Sequence, residues 1–502
     1  MATPSSSRKI ERPATSAGRF ARLRSTWARL VCLTALIAAV DPAAAGMPAA
    51  PAGAAAGDRP GARGAPAIDW NQVGEEAARL LARYVQIDTT NPPGNEAPAA
   101  RFLAGVLEAA GLSSEVAESA PGRANVYARR PGRGNGALVL LSHMDVVPAD
   151  PAEWAVAPFS GSRRDNFVYG RGTLDSKGIG IAQLMALILI ERHGVSLDHD
   201  VVFLATADEE TGGRLGAGWV IRERPDWIRG ASMVLNEGDH IHTGGERPVA
   251  QIAVAEKSPC WLRLTARGPA GHGSTPPAET AVTRLLAALD RVRAHRPPLR
   301  IIPAVAAYFS AVAPLRDRPH RERLRDLATA LADPAYRAEF EADPSQYALV
   351  HNTITPTVLE GSQTTNVIPS KASADLDCRL LPGEDLDAFV DDLERVIDDP
   401  GIEVARLLAF ESPPSPVESP LMSAIRAVAT RELDDPLVLP SVITGFTDSH
   451  YFRGLGILSY GFAPFAQPPE ERRRIHGNDE RVSVRVLRDA VRFMYQLLLE
   501  IG

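Results

Sequence analysis

Three short runs in the chain carry side chains suited to metal and proton chemistry. They are His143-Met144-Asp145, the glycine-rich run Gly170 to Gly178 with Asp175 inside it, and Asp208-Glu209-Glu210. Each ends or follows a short apolar stretch, so each places its imidazole or carboxylates where a buried strand stops. One histidine, one isolated aspartate and a Glu-Glu pair suit a hard-to-borderline divalent cation such as zinc, held by oxygen-rich ligands. A spare carboxylate beside a ligand can serve proton transfer to and from an activated water. The pattern reads as metal-assisted hydrolysis.

Taken singly, the signals differ in weight. In His143-x-Asp145 the alternation of a strand puts both side chains on one face, where Asp145 can accept the second ring N–H of His143 and fix its tautomer. A buried structural histidine explains that tripeptide equally well. Asp175 follows a glycine-rich turn and opens a helix, a position where aspartate serves as an N-cap. Glu209-Glu210 says more, because adjacent acids at a buried strand end are costly unless a metal or partner neutralises them. One of the pair can bind metal while its neighbour, pointing elsewhere, handles protons.

The elements that must position these groups follow from hydrophobic spacing. Helices are expected over 71–85 and 97–110, the second stopped by Gly111, and over 175–192, apolar on nearly every side and therefore buried. Strands are expected over 138–142, 167–169, 201–206 and 232–235, the last running into Asn236-Glu237-Gly238. Alternating strands and helices argue for an α/β layered domain with a mainly parallel sheet, whose sites gather at the carboxyl ends of strands. The pattern changes near Lys257. Strands over 261–266, 352–359, 372–378 and 403–410 with helices over 278–294 and 384–397 give the order βαββαβ, a ferredoxin-like sandwich interrupted by a charge-rich helical insertion over 300–350. The expected organisation is a catalytic domain over 68–256 and 412–502 with an inserted lid or dimerisation domain over 257–411.

The chain has 502 residues, enough for two domains, and its 45% hydrophobic and 23% charged content is ordinary for a globular protein. A net charge of −7 gives no reason to expect nucleic acid or an anionic membrane as partner. Arg19, Arg22, Arg24 and Arg29 precede an apolar run from Leu30 to Val40 and then Ala43-Ala44-Ala45. This is the layout of a secretory signal over 1–45, too short in its apolar part to span a bilayer comfortably, followed by an Ala/Gly/Pro-rich linker over 46–67. The expectation is a periplasmic or secreted protein with no stable membrane anchor. Beyond the signal only Cys260 and Cys378 remain, and buried free thiols are the reading their strand-like surroundings favour.

Seven segments, in this order, resemble the M20 family of dinuclear zinc amidohydrolases, which includes aminoacylases and carboxypeptidases. They are Leu141 to Asp145, Tyr169 to Gly178, Asp208-Glu209-Glu210, Asn236-Glu237-Gly238, Gly271-His272-Gly273-Ser274, Thr365-Asn366-Val367-Ile368-Pro369 and Ile475-His476-Gly477. The helical insertion makes the chain most similar to the longer, carboxypeptidase S-like members. The resemblance implies two zinc ions per chain, with cobalt or manganese as alternatives. His143 and Glu237 would hold one, Glu210 and His476 the other, and Asp175 would bridge them through a cis Asp175–Ser176 peptide. It further implies Glu209 as general base, with Asp145 supporting His143, and a homodimer through the inserted domain in which His272 stabilises the oxyanion of the other subunit. Asn366 would contact substrate, a small peptide or an N-acyl amino acid. His450, in Thr447-Asp448-Ser449-His450, stands where relatives often carry an arginine that holds substrate carboxylates, so looser carboxylate selection is expected. An ester- or carbamate-cleaving relative and a catalytically silent peptide-binding protein on the same scaffold remain the alternatives; the complete set of ligands and base speaks against silence.

Overall fold

The computed structural model describes residues 68–501. The expected export signal and linker lie outside the described residues. An eight-stranded sheet forms the centre, in the spatial order Ser114–Ala120, Arg123–Arg130, Asp200–Thr206, Ala137–His143, Ala231–His242, Leu458–Gln467, Val249–Glu256, Leu437–Ile443. The four middle strands run parallel. The antiparallel hairpin of the first two strands borders them on one side and the parallel pair at the other end meets them antiparallel. The sheet is thus mainly parallel, as the strand–helix alternation implies. The antiparallel flanks come from short hairpin connections that leave no helical signal between strands.

Helices cover both faces. Trp70–Val85, Lys177–Arg192, Pro420–Glu432 and Val484–Ile501 share one large core, and a smaller cluster around Trp227, Leu141 and Phe452 fills the other side. Lys177–Arg192 is buried from Lys177 to Ile190, which explains why it is apolar all round. Its N-cap is Ser176 rather than Asp175, and the Asp175–Ser176 peptide is cis. Asp175 is therefore not consumed in capping.

A four-stranded antiparallel sheet, in the order Thr353–Glu360, Lys371–Leu380, Ser258–Arg267, Ile402–Ala409, packs against Ala281–Ala294 and Leu386–Ile397. This is the arrangement that βαββαβ order predicts. Cys260 and Cys378 are free and buried in its core. The expected helical insertion is present as Pro303–Val312, Arg318–Arg325, Leu327–Ala330, Pro334–Glu341 and Pro344–Val350. It interrupts the small sheet in sequence, yet its apolar residues Val305, Phe309, Phe340 and Leu349 join the core of the large sheet. Lys257, buried at the junction of the two sheets, donates to the carbonyls of Ala348 (3.0 Å) and His351 (2.8 Å), fastening the insertion there.

Candidate metal centre

Ala137–His143 carries His143 at its carboxyl end, and the parallel strand Asp200–Thr206 delivers the Asp208 to Glu210 turn beside it. Glu237 is different. Its strand does not end at Leu235 but continues to His242, so Glu237 projects from the middle of a strand. Gly238 permits this: a Cβ there would meet the Gly461 Cα at 2.7 Å, so only glycine lets the two backbones pass where their register shifts. His476 comes from the loop after Pro469–Arg472, at φ 58°.

These residues converge. His143 Nε2 lies 2.8 Å from Asp175 Oδ1 and 3.2 Å from Glu237 Oε2. His476 Nε2 lies 3.1 Å from Asp175 Oδ2 and 3.5 Å from Glu210 Oε2. Asp175 thus turns one oxygen to each group, giving two triads with one shared member. His143 Nδ1 is 2.9 Å from the Asp145 carbonyl, so the ring donates there and turns Nε2 toward two carboxylates. Against its burial, the charge of Glu237 and the bonds to the surrounding carboxylates raise His143 well above its usual range, so Nε2 carries a proton where no metal cation takes that place. Glu210 Oε1 is buried without a hydrogen-bond partner among the described residues. The donor set fits a pair of divalent cations with mixed N/O ligands.

The ionisation tendencies have the same origin, an excess of buried carboxylate. Burial, with the Asp175 charge adding to it, pushes Glu237 up to about 8. Burial and the charge of Glu237 raise Glu209 well above the usual carboxylate range. Hydrogen bonds to Asp175 and Glu210 draw His476 up to about 10. For Asp175 burial acts upward, but its bonds to His143 and His476 win and hold it well below the usual range.

The carboxylate of Asp145 does a second task beside the one its spacing suggests. It stands 3.5 Å from His143 Nδ1, farther than its own carbonyl. Its oxygens also accept the backbone N–H of Glu209 and of Glu210, both at 3.1 Å, and Asn91 Nδ2 at 2.8 Å. Asp145 therefore fixes the turn that presents base and ligand. Glu209 lines the cavity beside the triads, and no hydrogen bond holds its carboxylate among the described residues.

Sequence reasoning missed several supports. Buried Glu480 accepts the N–H of Leu174 (2.7 Å) and Gly172 (3.1 Å) and pairs with Arg171 (2.7 Å), shaping the loop that presents Asp175. Asp448 is buried and accepts from Thr206 Oγ1 at 2.8 Å. Arg379, unassigned from sequence, lines the cavity with its guanidinium against Trp261 and Phe446. Its Nη1 is buried without a partner among the described residues.

The remaining expected residues are placed elsewhere in the chain. His272 and Asn366 are exposed neighbours on a short antiparallel arm, where His272 pairs with Val367 and Gly273 N–H donates to the Asn366 carbonyl at 2.8 Å. His272 Nδ1 accepts the Ser274 backbone N–H at 3.2 Å, which leaves Nε2 as the donor. Neither residue lines the cavity of the metal triads. His450 does not line it either. Its ring is buried and stacked 3.7 Å from Phe410, and Nδ1 donates to the Thr447 carbonyl at 2.8 Å. Burial holds the imidazole below its usual range, so it is neutral and its Nε2 can only accept. An acceptor cannot hold a carboxylate, and the structure does not support that role for His450.

The triads open into a cavity of about 920 Å³ walled by both sheets and by the insertion at Pro344 to Leu349. Beyond the metal cluster its lining mixes apolar side chains, among them Val147, Leu174, Trp261, Leu349, Phe446 and Phe465, with polar ones such as Gln251, Thr444, Gln467 and Arg473. Residues 139–500 match the model of peptidase family M20/M25/M40. An N-fatty-acyl-amino acid synthase/hydrolase PM20D1 of Xenopus tropicalis is 33% identical over 72% of this chain and 71% of its own length. Pig aminoacylase-1 is 26% identical over 84% of this chain and 93% of its own. Among solved structures, the M20 family metallo-carboxypeptidase Sso-CP2 of Sulfolobus solfataricus superposes with a TM-score of 0.67 at 22% identity. It covers 84% of this chain and 98% of its own. Human carnosine dipeptidase 1 gives 0.63 at 14%, over 86% and 98%. The chain belongs to the M20 family of metal-dependent peptidases and acylases.

Proposed function

We propose that this protein hydrolyses the amide bond of N-acyl amino acids with apolar acyl groups. One observation carries the reading: Asp175, Glu210, Glu237 and His476 of the two triads stand with Glu209 in the wall of a large cavity that also presents Val147, Leu174, Leu349, Phe446 and Phe465. At about 920 Å³ it lies at the upper end of the roughly 300–1,000 Å³ usual for small-molecule sites. Two zinc ions, with cobalt or manganese as substitutes, would be held by His143, Glu237, Asp175, Glu210 and His476. Such cations activate water and polarise the scissile carbonyl. Glu209 takes a proton from the attacking water and returns it to the leaving nitrogen, for which its unbonded carboxylate in the cavity wall is placed. Asp145 keeps Glu209 and Glu210 in their separate directions. Arg379, which lines the cavity with its guanidinium oriented by Asp377 (Nε to Oδ1 2.7 Å), receives the substrate carboxylate.

The protein is exported to the periplasm or beyond and works as a homodimer, with His272 and Asn366 reaching the partner's cavity. His272 has the required protonation pattern, since its accepting Nδ1 leaves Nε2–H free for an oxyanion. Among the described residues no helix is long and apolar enough to cross a membrane. The test is amino acid release from N-acyl amino acids of increasing chain length and from dipeptides, with bound metal measured alongside. Turnover on the acyl substrates, lost on chelation and restored by zinc, is the expected result. A metal-replete protein that releases nothing from either class overturns the reading.

A further inference from the structure

The cavity holds a second cluster of ligand-type side chains. Asp239, His240 and His242 lie on the same strand as Glu237, and Arg472 sits four residues before His476. Arg472 Nη1 is 2.9 Å from His240 Nε2 and 2.8 Å from His242 Nδ1. The rings stack with centroids 4.6 Å apart, and both are buried. A guanidinium donates only and does not lose its proton in proteins, so a ring nitrogen that receives one of its N–H groups is a bare acceptor. His242 Nε2 is also 2.9 Å from Arg472 Nη1 and lies 3.3 Å from Asp239 Oδ1, while His240 Nδ1 lies 3.7 Å from that oxygen. These contacts link the carboxylate, both imidazoles and the guanidinium into one relay. A metal could use these three residues only by expelling Arg472.

The relay joins two pieces that the metal centre needs in register. Its Asp–His side belongs to the strand that presents Glu237. Its arginine belongs to the segment that presents His476. That segment is where the centre is least constrained: the His476 side chain is 49% exposed, against 1% for His143. The neighbouring Glu471–Arg481 pair ties the segment to residues that follow it, and Arg171 Nη2 reaches the His476 carbonyl at 3.3 Å. Neither reaches the strand of Glu237.

We infer that Arg472, seated by Asp239, His240 and His242, is a positioning residue that sets the affinity of the metal held by Glu210 and His476. The inference rests on the dinuclear reading above. Its test is calorimetric titration of the full-length, chelator-stripped protein with zinc alone. Wild type is expected to show two binding events. Arg472→Met should leave one unchanged and weaken the other by about 10- to 100-fold, the usual effect of removing a residue that orients a ligand. Arg472→Lys, which keeps one donor, should recover part of that loss. Arg473→Met, in the same cavity wall, should change neither event, and the thermal midpoint of the stripped protein should be the same in all variants. Two unchanged events in Arg472→Met overturn the inference, as does equal weakening of both. A third zinc in wild type that disappears in His242→Asn also overturns it, by making the relay a metal site. Fewer than two events in wild type would overturn the dinuclear reading itself.

Discussion

Glu209 and Glu210 are chemically identical neighbours that the turn after Asp208 sends in different directions. Glu210 approaches His476 and shares a triad with Asp175, whereas Glu209 faces the cavity. Their substitution effects should separate accordingly. Glu209→Gln should keep its metals and its substrate affinity while kcat falls by about 10²-fold or more, as for a lost acid–base group. Glu210→Gln should lower bound metal instead; metal analysis beside steady-state kinetics distinguishes them, and the reverse pattern would exchange the two roles. The legibility of such residues depends on how far away their partners lie in sequence. His143, Asp175 and the Glu-Glu pair stand out because each breaks an apolar context next to a turn. Glu480 and Asp448 meet partners more than 200 residues away, Leu174 and Thr206, and no local pattern marks them. His476, a loop histidine among charges, is readable only through the family resemblance. Asp145 is legible only in part. Its spacing from His143 suggests a carboxylate–imidazole bond, but the main-chain carbonyl is nearer and the carboxylate serves the adjoining turn.

The loop before Lys177–Arg192 owes its shape to Glu480. A carboxylate that accepts three backbone N–H groups and pairs with buried Arg171 is hard to replace, since removing its charge strands a guanidinium whose side chain is only 3% exposed. Glu480→Gln should therefore cost about 3–5 kcal/mol of stability, the scale of a broken buried ion pair. Asp175 would lose its support with it, so bound metal should fall as well. Denaturant unfolding and metal analysis check both; a variant of unchanged stability would show that backbone contacts alone hold the loop. Elements with strong periodicity were legible to within a few residues, as Trp70–Val85 and Lys177–Arg192 show. The strand of Glu237 was not, because Asn236-Glu237-Gly238 has the composition of a turn. Its continuation depends on the close passage of Gly461, which lies far along the chain. The destination of the helical insertion was hidden for a similar reason: amphipathic helices reveal that they pack, but not against what.

At the scale of the molecule, the small sheet leaves Thr353–Glu360 as an exposed edge strand, with Val358 and Leu359 open to solvent. Such an edge offers unpaired backbone groups to a second copy, and His272 is exposed and does not line the cavity of its own chain. Mixing inactive Glu209→Gln and His272→Ala chains should restore part of the activity through hybrid dimers. Demonstrated heterodimers without recovery would place His272 outside the reaction. The allegiance of the insertion has a further consequence. Pro344 to Leu349 walls the cavity but is built into the core of the large sheet, whereas Trp261 and Arg379 wall it from the small one. A rotation of the small sheet would move the grip on the substrate's acid end and leave the floor under its acyl end in place. In that case the reach of the cavity would be set when the chain folds and its mouth by the position of the small sheet. Chain-length preference and the hold on the acid end would then belong to separate parts of the protein, free to evolve one without the other.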